Sequence, residues 1–322
     1  MSLVSTSDAS SIKIWALYSY NCIQTFPNNS NIENLTFSHN NVLLAYSCNT
    51  HTIVIYNLYM DTEEYRFTIK GYIKNIIFSP NDEYIIIQNQ NTDIFLHSLN
   101  NKSFISRLCF PNKYICNYKF NCDSDILAIS YNDGTIYIIL TISGQVLYKL
   151  TEHNKHVWAI DFNNDGSLLA SGDNDSFVYV WSTKNNFKCL YRLKLHTDPI
   201  WELTFSDNNI IAFSYNKSLK IELDKLTTKK LIYNENLLTV YYKVFDHCKQ
   251  LIALCNENDD ILIWSIKLDK LLYTLSGHTD YIINIIFNND YNMLVSFSAD
   301  DSIRTWDLKT GTCTKIIYHS LK

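Results

Sequence analysis

Glycine and proline are scarce in this chain, at 7 and 4 of 322 residues, and arginine occurs only at Arg66, Arg107, Arg192 and Arg304. With so little Gly, positions that need a left-handed backbone must be written largely in Asn, which tolerates that conformation through its short polar side chain. The near absence of Arg and the net charge of −5 leave no clustered basic surface, so nucleic acid and anionic lipid are not expected partners. No apolar run approaches the roughly 18 residues of a membrane span. The opening "MSLVSTSDASS" lacks a basic segment followed by an apolar stretch, so no secretory leader is expected, and the predicted home is the cytoplasm or nucleus. Among nine cysteines there is no CxxC pair, which predicts reduced thiols serving as small apolar residues in a reducing compartment. Gly-rich nucleotide loops are absent as well.

What the chain does have is hydrophobic residues, 47 % of the total, arranged in a period. A strand that closes on tryptophan at its end recurs in phase at Trp15, Tyr56, His97, Ile139, Trp181, Glu222, Trp264 and Trp306, every 41 or 42 residues. A second register repeats the phase: "IENLTF", "IKNIIF", "ICNYKF", "VWAIDF", "IWELTF", "VYYKVF" and "IINIIF" end at Phe37, Phe78, Phe120, Phe162, Phe205, Phe245 and Phe287. Each repeat then runs through an Asn/Asp-rich turn, an apolar strand, another turn, the Trp-phase strand and a short last strand. Four β-rich runs per repeat predict a four-stranded antiparallel sheet. One such sheet cannot bury both faces alone, so the repeats must stack.

At this point the chain resembles the WD40-repeat family, over residues 3 to 318. The motifs are fullest in the last repeat, with Gly277-His278, Asp300 and Trp306-Asp307; the fifth keeps His153, Asp175 and Trp181. The resemblance implies an all-β fold, a β-propeller of four-stranded antiparallel blades. "LVSTSDASSIKIWALYSYNCIQTF" aligns without a gap on Leu294 to Ile317, so the array opens at the second strand of a blade. Eight blades with the first incomplete are expected, seven being the alternative. A single propeller is expected over residues 1–322, in repeats 1–27 (partial), 28–69, 70–109, 110–151, 152–194, 195–234, 235–275 and 276–322. Either an upstream strand precedes Met1 or the first blade lacks its innermost strand. The mid-blade start also resembles that of the small, seven-bladed propeller subunit of the TOR kinase complex.

Two residue sets could be mistaken for chemistry. His278, Ser296, Asp300 and Trp306, with His153, Ser171, Asp175 and Trp181, contain the residue types of a hydrolytic triad. The serines, however, sit mid-strand with no glycine elbow beside them. In the WD40 family this constellation is a structural hydrogen-bond chain through the buried indole N–H, and that role is expected here. Cys109, Cys116 and Cys122 lack zinc-site spacing, and the acidic turns "NENDD" and "DND" lack the pattern of a calcium loop, so no metal and no cofactor is expected.

The remaining candidates are the residues just after the Ile or Val of each first strand: Glu33, Lys74, Cys116, Trp158, Trp201, Tyr241 and Ile283. In related propellers this position lies at a rim of the central channel. Trp158, Trp201 and Tyr241, with Glu33 and Lys74, are the candidate partner-binding residues, the three aromatics in succession forming a patch; packing between blades is their alternative role. The predicted function is a non-enzymatic protein-interaction scaffold that holds other proteins or peptide segments within a larger assembly. A propeller enzyme would want more carboxylates at this phase than Glu33, and a phosphopeptide or nucleic-acid reader more cations than Lys74.

Overall fold

The structure, a computed structural model, describes residues 3–7, 11–16, 21–27, 32–91, 93–195, 198–214, 218–225, 227–230, 242–246, 249–288 and 292–318. They form two compact units, Met1–Leu193 and Lys194–Lys322. The first strands in the chain, β1 (Leu3–Ser7), β2 (Ser11–Ala16) and β3 (Asn21–Pro27), make a three-stranded sheet, called here sheet one. Sheets two to eight each contain four sequential antiparallel strands and cover 32–68, 73–108, 115–150, 157–194, 202–230, 242–275 and 282–318. Among the described residues the four-stranded blades thus number seven, and the N-terminal strands form a sheet of their own. Among the described residues no helix is long and apolar enough to cross a membrane.

The strand residues explain the stacking. Second and third strands are apolar on both faces, as in "YIIIQN" (Tyr84–Asn89) and "IYIIL" (Ile136–Leu140), because a neighbouring sheet covers each side. Successive side chains point to opposite faces. Ile85 and Ile87 accordingly pack with Ile53 and Ile55 of sheet two, while Ile86 packs with Leu127 and Ile129 of sheet four. In the second unit Ile252 and Leu254 face Ile211 and Phe213, and Ala253 faces Ile285 and Trp306. Fourth strands lie outermost in this scheme and are far more exposed; five of the six residues of Gln145–Leu150 face solvent.

Left-handed turn positions fall on six Asp residues and on Asn41, Asn49, Asn112 and Asn186, together more often than on Gly, and Asp outnumbers the expected Asn because its side chain is equally short and polar. Gly134 is a position where only glycine fits. Its φ is +88°, and a Cβ would run into the His153 carbonyl where the 151–156 loop crosses the turn.

The Trp phase holds in backbone register with one correction. In six sheets the first-strand Phe, a second-strand aliphatic and the Trp-phase residue share a row, for example Phe287, Leu294 and Trp306. In sheet six the row is Phe205, Ile210 and Ile221, so Ile221 takes the Trp place rather than Glu222. The turn before Asn209 is short, which moves the third strand by one residue relative to the repeat count.

Candidate interaction surface

The triad-like sets are closed hydrogen-bond chains. In sheet eight Trp306 Nε1 donates to Ser296 Oγ (2.9 Å), Ser296 Oγ lies 2.7 Å from His278 Nε2, and His278 Nδ1 lies 2.9 Å from Asp300 Oδ2. Sheet five repeats the chain from Trp181 to Ser171 (2.9 Å) and Ser171 to His153 (2.7 Å). One tautomer satisfies each chain: the Ser hydroxyl donates to Nε2 and the imidazole Nδ1–H donates to the carboxylate. Both serines are fully buried, so no substrate can reach either oxygen. Burial pushes the His153 and His278 pKa values down against the opposing pull of their carboxylates, which keeps the rings neutral. Burial works against ionisation of Asp300, but hydrogen bonds from Ser302, His278 and Thr279 hold its carboxyl far below the usual range.

The carboxylate in sheet five is not the expected one. Asp173 Oδ2 meets His153 Nδ1 at 2.6 Å, and Asp175 is exposed. Asp173 ends its strand two residues before the position of Asp300, where sheet eight carries Ser298. From there its other oxygen accepts from the backbone N–H groups of Asp175 and Phe177, at 2.9 Å each. A carboxylate already anchored at the strand end displaces the turn residue from the role.

Elsewhere the chain decays in a readable way. Trp264 keeps its place, but Leu254 stands where a serine would accept, and the buried Trp264 Nε1 has no hydrogen-bond partner. His97 fills the Trp position of sheet three between Phe67 (4.0 Å, stacked) and Phe104 (5.3 Å, edge-on), and burial pulls its pKa down to about 4.

The candidate rim residues coincide with a backbone device. Pairing between first and second strands slips between Ile73 and Asn75, Ile115 and Asn117, Val157 and Ala159, and Ile282 and Asn284. Lys74, Cys116, Trp158 and Ile283 are therefore bulge residues, outside the ladder, and a bulge re-aims its side chain. Their predecessors Ile73, Ile115, Val157 and Ile282 are buried, whereas Lys74 is exposed, Trp158 half-buried and Ile283 54 % exposed. Trp158 stacks on His156 (5.3 Å between ring centres), and its Nε1 donates to Asn174 Oδ1 at 3.3 Å. Trp201, in the second unit, is 45 % exposed and follows buried Ile200. Tyr241 lies outside the described residues, as does the Glu33 side chain.

Two features of the first strands escape a reading confined to that phase. The residue before the buried Ile or Val is aromatic in four sheets: Tyr72, Tyr114, His156 and Tyr281. The three tyrosines are exposed, Tyr114 most of all at 66 %, and the four carbonyls all accept from turn residues, Gln90, Asn132, Asn174 and Ala299. The second feature is a polar ladder between first strands. Asn34 Nδ2 donates to the Ile73 carbonyl (3.2 Å), Asn75 Nδ2 to Tyr118 Oη (3.0 Å), Asn117 Nδ2 to the Trp158 carbonyl (2.9 Å), and Tyr242 Oη to Asn284 Oδ1 (2.7 Å). Ion pairs Lys119–Asp161 (3.6 Å) and Lys243–Glu202 (2.9 Å) extend it. The recurrent Asn of "IENLTF", "IKNIIF", "ICNYKF" and "IINIIF" is the sequence signal for this ladder.

Comparison with known proteins follows the same lines. The family model for the WD domain, G-beta repeat, matches residues 144–182 and 269–307, which hold the two hydrogen-bonded tryptophans. COMPASS component SWD3 of Saccharomyces cerevisiae is 35% identical over 98 residues, 27% of this chain and 31% of that protein. Nuclear distribution protein PAC1 of Candida tropicalis is 31% identical over 117 residues, 36% and 20% of the two chains. THO complex subunit 6 of Arabidopsis thaliana is 33% identical over 54 residues, 17% and 15%. The matches thus span less than a third of the length of these curated relatives. The crystal structure of the computationally designed Ika8 protein superposes with a TM-score of 0.75 over 96% of this chain and 94% of that one, at 17% identity, a likeness of fold alone. The chain is thus similar to the WD40-repeat family in its repeat of about 42 residues, in its indole-anchored hydrogen-bond chains and in the two matched repeats.

Proposed function

We propose that the chain is a non-catalytic interaction scaffold, a propeller subunit that presents its first-strand rim to partner proteins or peptide segments within a larger assembly. The observation that carries the reading is the set of first-strand bulges. At each, a buried aliphatic is followed by a residue turned out of the ladder; in unit one Lys74, Cys116 and Trp158 stand along successive sheets in this way, with exposed Tyr72 and Tyr114 just before the buried aliphatic in the first two. Aromatics held rigidly at a surface are what interface hot spots use, because little side-chain entropy is left to lose on binding. Unit two offers Trp201, Tyr281 and Ile283 at the corresponding positions, and Tyr241 completes the proposed set. Relatives named as a COMPASS component and a THO complex subunit support a role inside an assembly, and the free cysteines suit a reducing compartment, cytoplasm or nucleus.

The test is affinity capture from native lysate with wild type, a Tyr72→Ala/Tyr114→Ala/Trp158→Ala variant and a Trp201→Ala/Ile283→Ala variant, with melting temperatures measured in parallel. Loss of a defined partner set at unchanged melting temperature is expected for at least one variant. Two well-folded variants that keep every partner would remove the rim from the interface.

A further inference from the structure

Around the exposed aromatics of unit one the hydrogen-bond acceptors are spent inside the chain, while donors are left over. Sheets three, four and five pack in succession, Ile86 and Leu96 with Leu127 and Ile129, then Ala128 and Ile136 with Leu169 and Trp181. At the start of their first strands stand Tyr72, Tyr114 and the stacked pair His156 and Trp158. The carbonyls of Tyr72, Tyr114 and His156 each accept a turn N–H, from Gln90 (2.8 Å), Asn132 (3.0 Å) and Asn174 (3.0 Å). The side-chain oxygens of the two asparagines are taken as well: Asn132 Oδ1 accepts from the Tyr114 N–H at 2.8 Å, and Asn174 Oδ1 from Trp158 Nε1 at 3.3 Å. A backbone N–H and an indole N–H can only donate, so each amide is turned one way and its nitrogen points elsewhere. Asp133, the carboxylate beside Asn132, is held by Lys113 at 2.7 Å and accepts from the Thr135 N–H at 3.0 Å. What remains are the Nδ2 groups of half-buried Asn132 and Asn174, neither bonded among the described residues, and the ammonium of exposed Lys74 in sheet three.

We infer that this surface takes a proline-rich segment of a partner protein, lying in the polyproline II conformation across sheets three, four and five. The inference rests on the reading of the first strands as an interface and names what docks there. Aromatic faces set among oriented donors call for a ligand of apolar rings and acceptors. Proline supplies a ring and a carbonyl, and it has no N–H to leave unpaired. A segment in β conformation would bring as many N–H groups as carbonyls, and the acceptors that could receive them are occupied. The spacing agrees. Polyproline II returns to the same face every three residues, about 9 Å along its axis, and packed sheets stand about 10 Å apart. One turn of the segment therefore meets one sheet, with prolyl rings on Tyr72, Tyr114 and Trp158 in turn and carbonyls facing Asn132 and Asn174. The chain's own prolines, Pro27, Pro80, Pro111 and Pro199, are isolated from one another, so a second copy cannot supply the segment.

The probe is nonaproline, capped at both ends and so uncharged, titrated calorimetrically into the full 322-residue chain and into an Asn132→Asp/Asn174→Asp variant. That variant keeps an oxygen for the Tyr114 N–H and for Trp158 Nε1 and loses both free donor groups, so the aromatics stay in place while the proposed contacts go. Saturable binding to wild type, at least tenfold weaker in the variant at an unchanged melting temperature, is expected. If the variant melts early, Tyr114→Ala takes its place, since that ring is 66 % exposed, and should weaken binding to a similar degree. Equal affinity for wild type and a well-folded variant overturns the inference, and so does equally tight binding of a capped (Thr-Val)4 peptide, which carries an N–H at every residue. Absence of nonaproline binding overturns it as well. In that case loss of partners by the Tyr72→Ala/Tyr114→Ala/Trp158→Ala variant in the lysate experiment would leave the interface standing, whereas retention of every partner would remove both.

Discussion

At the scale of single residues, whether a polar group at the Trp phase contributes stability depends on whether its partner survives. Trp181 and Trp306 donate to serines that donate onward to neutral histidines, and the buried group at each link is satisfied. Trp264 has the same packing but no acceptor. Trp181→Phe or Trp306→Phe should therefore cost about 1–3 kcal/mol more than Trp264→Phe, since each leaves a buried serine short of a donor while the third substitution removes an orphaned one. Urea unfolding of the three variants measures the difference. Sheet five gives a second comparison. Asp173→Asn turns an amide toward the His153 Nδ1–H and should destabilise by about 1–3 kcal/mol, while exposed Asp175→Asn should stay within about 0.5 kcal/mol of wild type. Equal effects in the same unfolding experiment would return the role to Asp175.

At the scale of elements, the first strand combines two jobs that a sequence mixes together. Its Phe and its buried Ile or Val repeat strictly, so the strand and its phase were legible from "IKNIIF" and its sisters alone. The bulge was not, because it is a property of two strands: one residue more on the first than on the second, visible only once Ile73 and Asn75 find adjacent partners Asn89 and Gln88. The exposed tyrosines at positions 72, 114 and 281 were written in the sequence, two places before the phase that drew notice. Asp173 was hidden because repeat alignment assigns roles by position, whereas the hydrogen bond goes to the carboxylate already fixed at the strand end. The Asn ladder separates the two jobs by experiment. Asn117→Ala removes the bond to the Trp158 carbonyl and should cost about 1 kcal/mol of stability with partner capture retained; Trp158→Ala should do the reverse. A stability loss for Trp158→Ala matching that of a core aromatic, about 3–5 kcal/mol, would make it packing between sheets.

At the scale of the whole molecule, three buried histidines set the acid limb of stability. His97, His153 and His278 all have pKa values below the ordinary 6.5, with burial the first cause in each. As the pH falls through 6.5 the unfolded chain takes up protons at these three positions while the folded chain holds them neutral, so the unfolded state binds more protons and stability drops. For His97 the window runs from 6.5 to about 4, and once the pH is below both values the loss amounts to roughly 3 kcal/mol. Asp300 acts in a lower window: its carboxyl is depressed, so its contribution is intact above the ordinary carboxylate range and fades only as strong acid protonates it. The melting temperature should therefore decline between pH 7 and pH 4, before the carboxylates titrate. His97→Phe keeps the aromatic stack with Phe67 and removes the titrating ring, so it should flatten that decline by the His97 share and leave the part owed to His153 and His278. A variant whose melting temperature falls with pH as steeply as wild type would show that His97 takes up its proton in the folded chain without cost, and would shift the acid sensitivity to the two hydrogen-bonded histidines.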